Sequence, residues 1–197
     1  GEDIKDLAKE YADLNGDSLV NVSAEERKKA LVDFALPKNI SKMQADMEKY
    51  KIFYDKWFFE SELHKSGAVK AVVDLLTKKG LTYEKEGAVW YKNKEVLTQK
   101  LLKEGKSQKY IDNLELKDDV LIRQNGNPTY FTADIAYHKN KFDRGFTTLI
   151  DVWGADHHGH VMRMKGAMDA IGYDGDKLNV VLMQLVKLVK DLSLIHI

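Results

Sequence analysis

Apolar residues in the first fifty positions recur at helical spacing. Ile4, Leu7, Ala8, Tyr11 and Leu14 form one stripe, which Gly16 ends. Ser23 followed three residues later by Glu26 is a capping box, so a second helix opens there and carries Ala30, Leu31 and Phe34. Pro37 has no N–H to give and is expected to break or restart that helix. Ile40, Met43, Met47 and Tyr50 make the next apolar stripe, read as packing. In YDKWFFESELH, residues 54–64, the run Trp57-Phe58-Phe59 favours a strand. Ser66 is expected to cap a helix carrying Val69, Val72, Val73 and Leu76, closed by Gly80. LTYEKEGAVWYK reads as a hairpin turning at Glu86-Gly87. Residues 93–118 are charged and lean helical through Val96, Leu97, Leu101, Leu102, Tyr110, Ile111 and Leu114. The stretch reads as a peripheral excursion whose lysines face solvent.

From residue 119 the pattern changes. DVLIRQNGNPTYF alternates as a β-hairpin, with Val120 and Ile122 on one arm, a turn at Asn125-Gly126, and Thr129, Tyr130 and Phe131 on the other. TADIAYHKNKF follows as a helix. TLIDVW is short and almost wholly apolar, like a strand covered on both faces of a parallel sheet. A helix bearing Val161, Met164, Met168 and Ile171 then runs to Gly172, and LNVVLMQLV is a second such strand. Strand, helix and strand make a βαβ unit with an expected right-handed crossover. The fold class is therefore α/β.

Composition narrows the function. The 197 residues carry 31 basic and 31 acidic side chains, so no excess charge points to DNA. There is no cysteine, which excludes disulfides, thiolate zinc sites and cysteine nucleophiles. No apolar run approaches the roughly 20 residues of a membrane span, and the charged, periodic start GEDIKDLAKEY does not read as a signal peptide. A cytoplasmic protein is expected. The chain does not begin with Met, and its true start is expected upstream.

Half of the six histidines fall in VWGADHHGH, residues 152–160. The segment lies between a strand and its helix, where open parallel sheets bind ligands beyond the strand carboxyl ends. Gly154 allows close backbone approach, Asp156 can accept from ribose hydroxyls, and the first N–H groups of the helix favour anions. Three readings remain open. Asp156, His157, His158 and His160 could ligate a metal, although adjacent side chains diverge and no His-Glu-x-x-His spacing is present. They could simply cap a helix around a buried histidine. A nucleotide and substrate pocket explains the location best. In PTYFTADIAYH, Tyr130 and Asp134 stand four apart near a helix start. Asp134 is either a partner for the helix dipole or a fixed anion for a cationic ligand, with Tyr130 orienting it, as a guanidinium would require.

The segment from FTADIAYHKNKF through GADHHGHVMRMKGAMDAIGYDGDKLNVVLMQLVKLVKD closely resembles the catalytic core of bacterial arginyl-tRNA synthetases. DKWFFESELHKSGAVKAVVDLLTKKGLTYEKEGAVWY resembles the segment those enzymes carry between the halves of their nucleotide-binding fold. The likeness runs over most of residues 1–191 and is poorest over 93–118, where the family usually has a short Phe-Gly-Asp-containing loop. The resemblance implies a partial class I Rossmann-type parallel sheet with a helical and hairpin insertion. It implies ATP-dependent activation of L-arginine to arginyl-adenylate and transfer to tRNA(Arg), with Mg2+ accompanying ATP. It places Tyr130, Asp134 and His157 around the arginine side chain, Gly154 and Asp156 at the ribose, Met183 and Gln184 at the adenine, and His160 near the phosphates. Such chemistry needs no protein nucleophile; it works by proximity and electrostatic stabilisation.

The 197 residues contain neither the His-Ile-Gly-His nor the Lys-Met-Ser-Lys signature of class I enzymes. The chain is therefore expected to be an internal section, inactive alone, with its catalytic residues elsewhere. Expected divisions are residues 1–53 (helical), 54–118 (insertion-like, atypical from 93), and 119–191 (second half of the nucleotide fold). Residues 192–197, LSLIHI, could be a strand end, but they look like the translation of a transposon-end adapter used for sequencing libraries, and on that reading His196 carries no functional weight. A non-catalytic synthetase-like module that binds arginine or tRNA is the alternative, and a metal-dependent hydrolase is a third reading.

Overall fold

The computed structural model describes residues 1–186 and the backbone of residues 189–190 and 193–194. Those two short segments pair antiparallel. The remainder of the 192–197 tail, His196 included, lies outside the described residues. Two units divide at residue 57/58.

The first unit, Gly1–Trp57, is a helical hairpin. Helix α1 (Glu2–Asn15) ends at Gly16, and α2 (Ala24–Lys49) starts on the expected capping box. The Ser23 hydroxyl accepts from the Glu26 N–H, and the Glu26 carboxylate accepts from the Ser23 N–H. The Arg27 guanidinium clamps the connection by donating to the carbonyls of Leu19, Val20 and Val22. Tyr11 meets Phe34 edge-on at 5.1 Å, and Lys38 pairs with Glu10. Pro37 does not break α2, which runs through it for 26 residues. One missing N–H costs a single ladder bond, and the turns on either side carry the helix past it. No residue of either helix is buried, so the Ile40, Met43, Met47, Tyr50 stripe is not a core within the described residues.

The second unit holds the core. The Trp57-Phe58-Phe59 segment forms no strand; the chain is extended without a β partner, and Phe58 instead stacks on Tyr137 at 4.8 Å. Helix α3 (Glu60–Lys65) leads to α4 (Ala68–Lys78) through Gly67. Gly67, with φ 76°, sits at the start of α4 in place of the expected Ser66, whose hydroxyl donates back to the Leu63 carbonyl. Val69, Val72 and Leu76 are buried as the periodicity requires. β1 (Thr82–Lys85) and β2 (Ala88–Tyr91) form the hairpin, with both turn residues at positive φ. β2 also pairs with β3 (Asp119–Ile122), making a three-stranded antiparallel sheet.

Residues 93–118 are not peripheral. They fold as α5 (Asn93–Lys103) and α6 (Gln108–Asp112), with Leu97, Leu101 and Ile111 buried. The second arm of the hairpin expected after β3 shrinks to a single bridge between Ile122 and Pro128. Tyr130 and Phe131 belong instead to helix α7 (Tyr130–Asp143), because Thr129 caps it by accepting from the Thr132 N–H.

β4 (Leu149–Gly154) and β5 (Leu178–Met183) are parallel and joined by α8 (His158–Ile171). Leu149 and Leu178 face the core with Met164, Met168 and Ile135. The sheet is not covered on both faces, however: Ile150 is 70 % and Val152 67 % exposed. Among the described residues, nothing packs on that side. The apolar run thus marked a strand correctly but overstated its cover.

Candidate functional site

The site grows from the carboxyl end of the parallel pair. Gly154, last residue of β4, is in register with Met183, last of β5. A tight turn over Ala155–His157 then hands the chain to α8. Gly154 has φ −65° and ψ 150°, which any residue adopts, so its role is spatial. A Cβ there would lie 2.5 Å from Asp156 Oδ1. Asp156 and His157 are exposed, 3.8 Å apart, and Met183 and Gln184 are exposed on the neighbouring strand end.

α7 supplies the other wall. Thr129 Oγ1 donates to the Val120 carbonyl and Thr132 Oγ1 to that of Leu121, which pins the helix start to β3. Tyr130 is then the first helical residue, 79 % exposed. Asp134 lies one turn on, half-exposed. Because the helix begins at Tyr130, Asp134 sits beyond the first turn and is poorly placed to serve the dipole.

His160, in the first turn of α8, joins the two walls. Its Nε2 lies 3.2 Å from Asp134 Oδ2. Its ring tilts over Trp153 at 5.3 Å, meets Phe131 edge-on at 5.5 Å, and lies 6.5 Å from the His157 ring. His157 and His160 therefore sit against Trp153, and His160 brings Asp134 to them, with Gly154, Asp156, Met183 and Gln184 along the adjoining strand edge. Tyr130 stands one helical turn from Asp134, and its hydroxyl has no partner among the described residues. His158 does not join the group. It faces a cavity of about 400 Å³ between α5, α8 and β5, lined also by Leu97, Lys100 and Val180. Among the described residues, no three His, Asp or Glu side chains converge as metal ligands.

Two charged clusters brace the site. Arg163 of α8 grips Asp119 of β3 with both Nε and Nη2, and its guanidinium lies 4.8 Å above the Phe131 ring. Burial pushes the Asp119 carboxyl up, and the opposing pull of Arg163 and His160 only partly offsets this. Behind Asp134, buried His138 places Nδ1 2.7 Å from the Asp134 carbonyl oxygen and Nε2 2.5 Å from Asp151 Oδ2. Lys141 reaches the second Asp151 oxygen at 2.7 Å. Burial raises the Asp151 carboxyl, but the bonds from His138 and Lys141 outweigh it and leave it below the usual range. Reasoning from sequence missed these residues. The signal was present: a lone aspartate inside the apolar strand TLIDVW needs a cationic partner.

No family model matches the chain. It is 53 % identical over 191 residues to an arginine–tRNA ligase from Caldanaerobacter subterraneus, covering 96 % of this chain and 31 % of that protein. It is 50 % identical over 192 residues to one from Ruminiclostridium cellulolyticum, again covering 31 % of the relative. The chain thus spans about a third of the length of the curated relatives it matches. A crystal structure from Campylobacter jejuni, described as an arginyl-tRNA synthetase, superposes with a TM-score of 0.77 at 34 % identity, covering 98 % of this chain and 38 % of that one. The Thermus thermophilus arginyl-tRNA synthetase shares the fold, with a TM-score of 0.59 at 18 % identity over 81 % of this chain and 32 % of that one.

Proposed function

Because this chain belongs to the arginyl-tRNA synthetase family, matching its relatives over about a third of their length, we propose that it is the amino-acid and adenosine corner of a cytoplasmic arginine–tRNA ligase. The full-length protein activates L-arginine with ATP to arginyl-adenylate and transfers the arginyl group to tRNA(Arg). The observation that carries this reading is the placement of Asp134. It is a half-exposed carboxylate on α7, brought beside the βαβ unit by His160 of α8, which is its side-chain partner among the described residues, and it lies within a helical turn of Tyr130. A guanidinium is planar and permanently charged, and it pairs with such a carboxylate through two parallel N–H···O bonds. Tyr130 offers a hydroxyl beside it, and His157 closes the same side.

Gly154 and Asp156 receive the ribose, with Met183 and Gln184 flanking the adenine. His160, expected beside the phosphates, lies against Asp134, so its proposed role is to orient that carboxylate. Mg2+ would enter with ATP as its counter-ion and would supply charge neutralisation at the phosphates. The residues of this chain bind and orient. They hold the arginine carboxylate toward the α-phosphorus, and the gain is one of proximity.

The test is L-arginine-dependent ATP–pyrophosphate exchange by the full-length protein, followed by charging of tRNA(Arg). With tRNA(Arg) present throughout, exchange that responds equally to lysine, or no exchange from intact folded protein, rejects the assignment. Absence of exchange would favour a non-catalytic binding module. The 197-residue chain alone, which contains neither class I signature, is expected to show no exchange.

A further inference from the structure

We propose that His138 is a positioning residue for arginine recognition: its Nδ1 fixes the backbone of Asp134, and its Nε2 ties that turn of α7 to Asp151 on β4. The proposal rests on the reading of Asp134 as the guanidinium partner.

The argument starts from donors and acceptors. A carbonyl oxygen only accepts, and an ionised carboxylate only accepts. His138 Nδ1 faces the first at 2.7 Å and Nε2 the second at 2.5 Å, so each ring nitrogen is aimed at an acceptor. Lys141 on the other Asp151 oxygen keeps that carboxylate ionised. The result is a largely buried hydrogen-bonded chain, Asp134 backbone to His138 to Asp151 to Lys141, linking the helix that carries Tyr130 and Asp134 to the strand that ends in Gly154. Around it stand the rings of Tyr137 and Trp153, 6.0 and 6.1 Å from the imidazole, with the Lys141 ammonium 4.4 Å from the Tyr137 ring. None of these groups touches the proposed ligand. The arm that reaches the recognition carboxylate is the Nδ1 bond to the Asp134 backbone; the Nε2 tie to Asp151 anchors the ring and contributes stability.

The two bonds of His138 can be separated by isosteres. An asparagine amide nitrogen occupies the place of Nδ1, and a glutamine amide nitrogen that of Nε2. His138→Asn should therefore keep the bond to the Asp134 carbonyl and lose the tie to Asp151. His138→Gln should do the reverse. In the full-length synthetase, His138→Gln is expected to raise the KM for arginine about ten-fold, the worth of one good hydrogen bond. The KM for ATP should move less than two-fold or so and kcat little. His138→Asn should keep the arginine KM within about two-fold while lowering the melting temperature more than His138→Gln does.

Asp151→Asn supplies a second arm. There the ring can still donate through Nδ1 to the Asp134 carbonyl while Nε2 accepts from the new amide. Arginine KM should stay within about two-fold although stability falls. Equal arginine KM for the Asn and Gln variants, or arginine KM that tracks melting temperature across all three, overturns the proposal. The unsubstituted protein is assayed first. If it shows no arginine-dependent exchange with tRNA(Arg) present, the reading of the site fails; if it does and the variants do not split, only the role of His138 fails.

Discussion

His160 Nε2 stands 3.2 Å from Asp134 Oδ2, so two helices that share no sequence neighbourhood meet at one carboxylate. In the full-length synthetase, Asp134→Asn keeps the shape and removes the charge. Asp134 is half-exposed, which lets solvent screen part of the loss, and a charged hydrogen bond of this kind is worth about 1.5–3 kcal/mol. The KM for arginine should rise about ten- to hundred-fold, with ATP affected far less. Equal losses for the two substrates would make Asp134 a structural residue.

Gly154 makes an opposite prediction. Its backbone angles suit any residue, so Gly154→Ala is not strained in itself. The new methyl group would displace the Asp156 carboxylate, which lies where a Cβ would go. Asp156 is exposed and can swing away, so stability should change by no more than about 0.5 kcal/mol. The ATP KM should rise several-fold while the arginine KM stays near its starting value. A folded variant with unaltered ATP KM would remove Asp156 from the nucleotide side.

The fold was legible wherever a local rule decided it. Ser23 with Glu26, Glu86 with Gly87, and the strand-helix-strand rhythm around α8 each depend on neighbours within a few residues, and each is present as read. Misreadings arose where distant contacts decided or where one local signal overrode another, as at Pro37, Ser66 and Thr129. Phe58 has strand propensity but finds a ring on α7 rather than a β partner. Tyr130 and Phe131 continue an alternating pattern, yet the Thr129 cap turns them into a helix. Ile150 and Val152 are apolar without being covered. The candidate site was half visible: GADHHGH marked the strand end, whereas the pairing of His160 with Asp134 and the buried Asp151 network depend on how helix and strand pack.

α5 gives the plainest case of a surface reading corrected by packing. Lys100 is not simply solvated; it bonds Asp169 at 2.7 Å. Leu97 is fully buried, and its Cδ2 occupies the space where Gly166 of α8 would carry a side chain. Leu97→Ala should therefore destabilise by about 2–5 kcal/mol, as expected for a core truncation. A solvent-facing leucine would cost about 0.5 kcal/mol or less. Denaturant titration of the full-length protein separates the two, with the slope unchanged and the midpoint lowered if α5 is core.

Acid stability tests the Asp151 network. Burial pushes its carboxyl up, but the bonds from His138 and Lys141 hold it below the ordinary aspartate range, about 3.9. A carboxylate lowered in the folded state stabilises it above the unfolded value, and that contribution is lost as pH falls through the lower folded value. Asp119 runs the other way. Raised by burial, it releases an unfavourable charge as pH falls from its raised value toward 4, so acid first relieves Asp119 and only then strips Asp151. Asp151→Asn removes the second effect. At pH 7 the variant should be less stable by about 2 kcal/mol, below the full cost of orphaning a buried charge because the amide still accepts from Lys141. Melting temperatures of the parent and variant, followed from pH 7 down to about 3, should converge at the acid end. A gap that stays constant over that range would mean that Asp151 acts through packing alone.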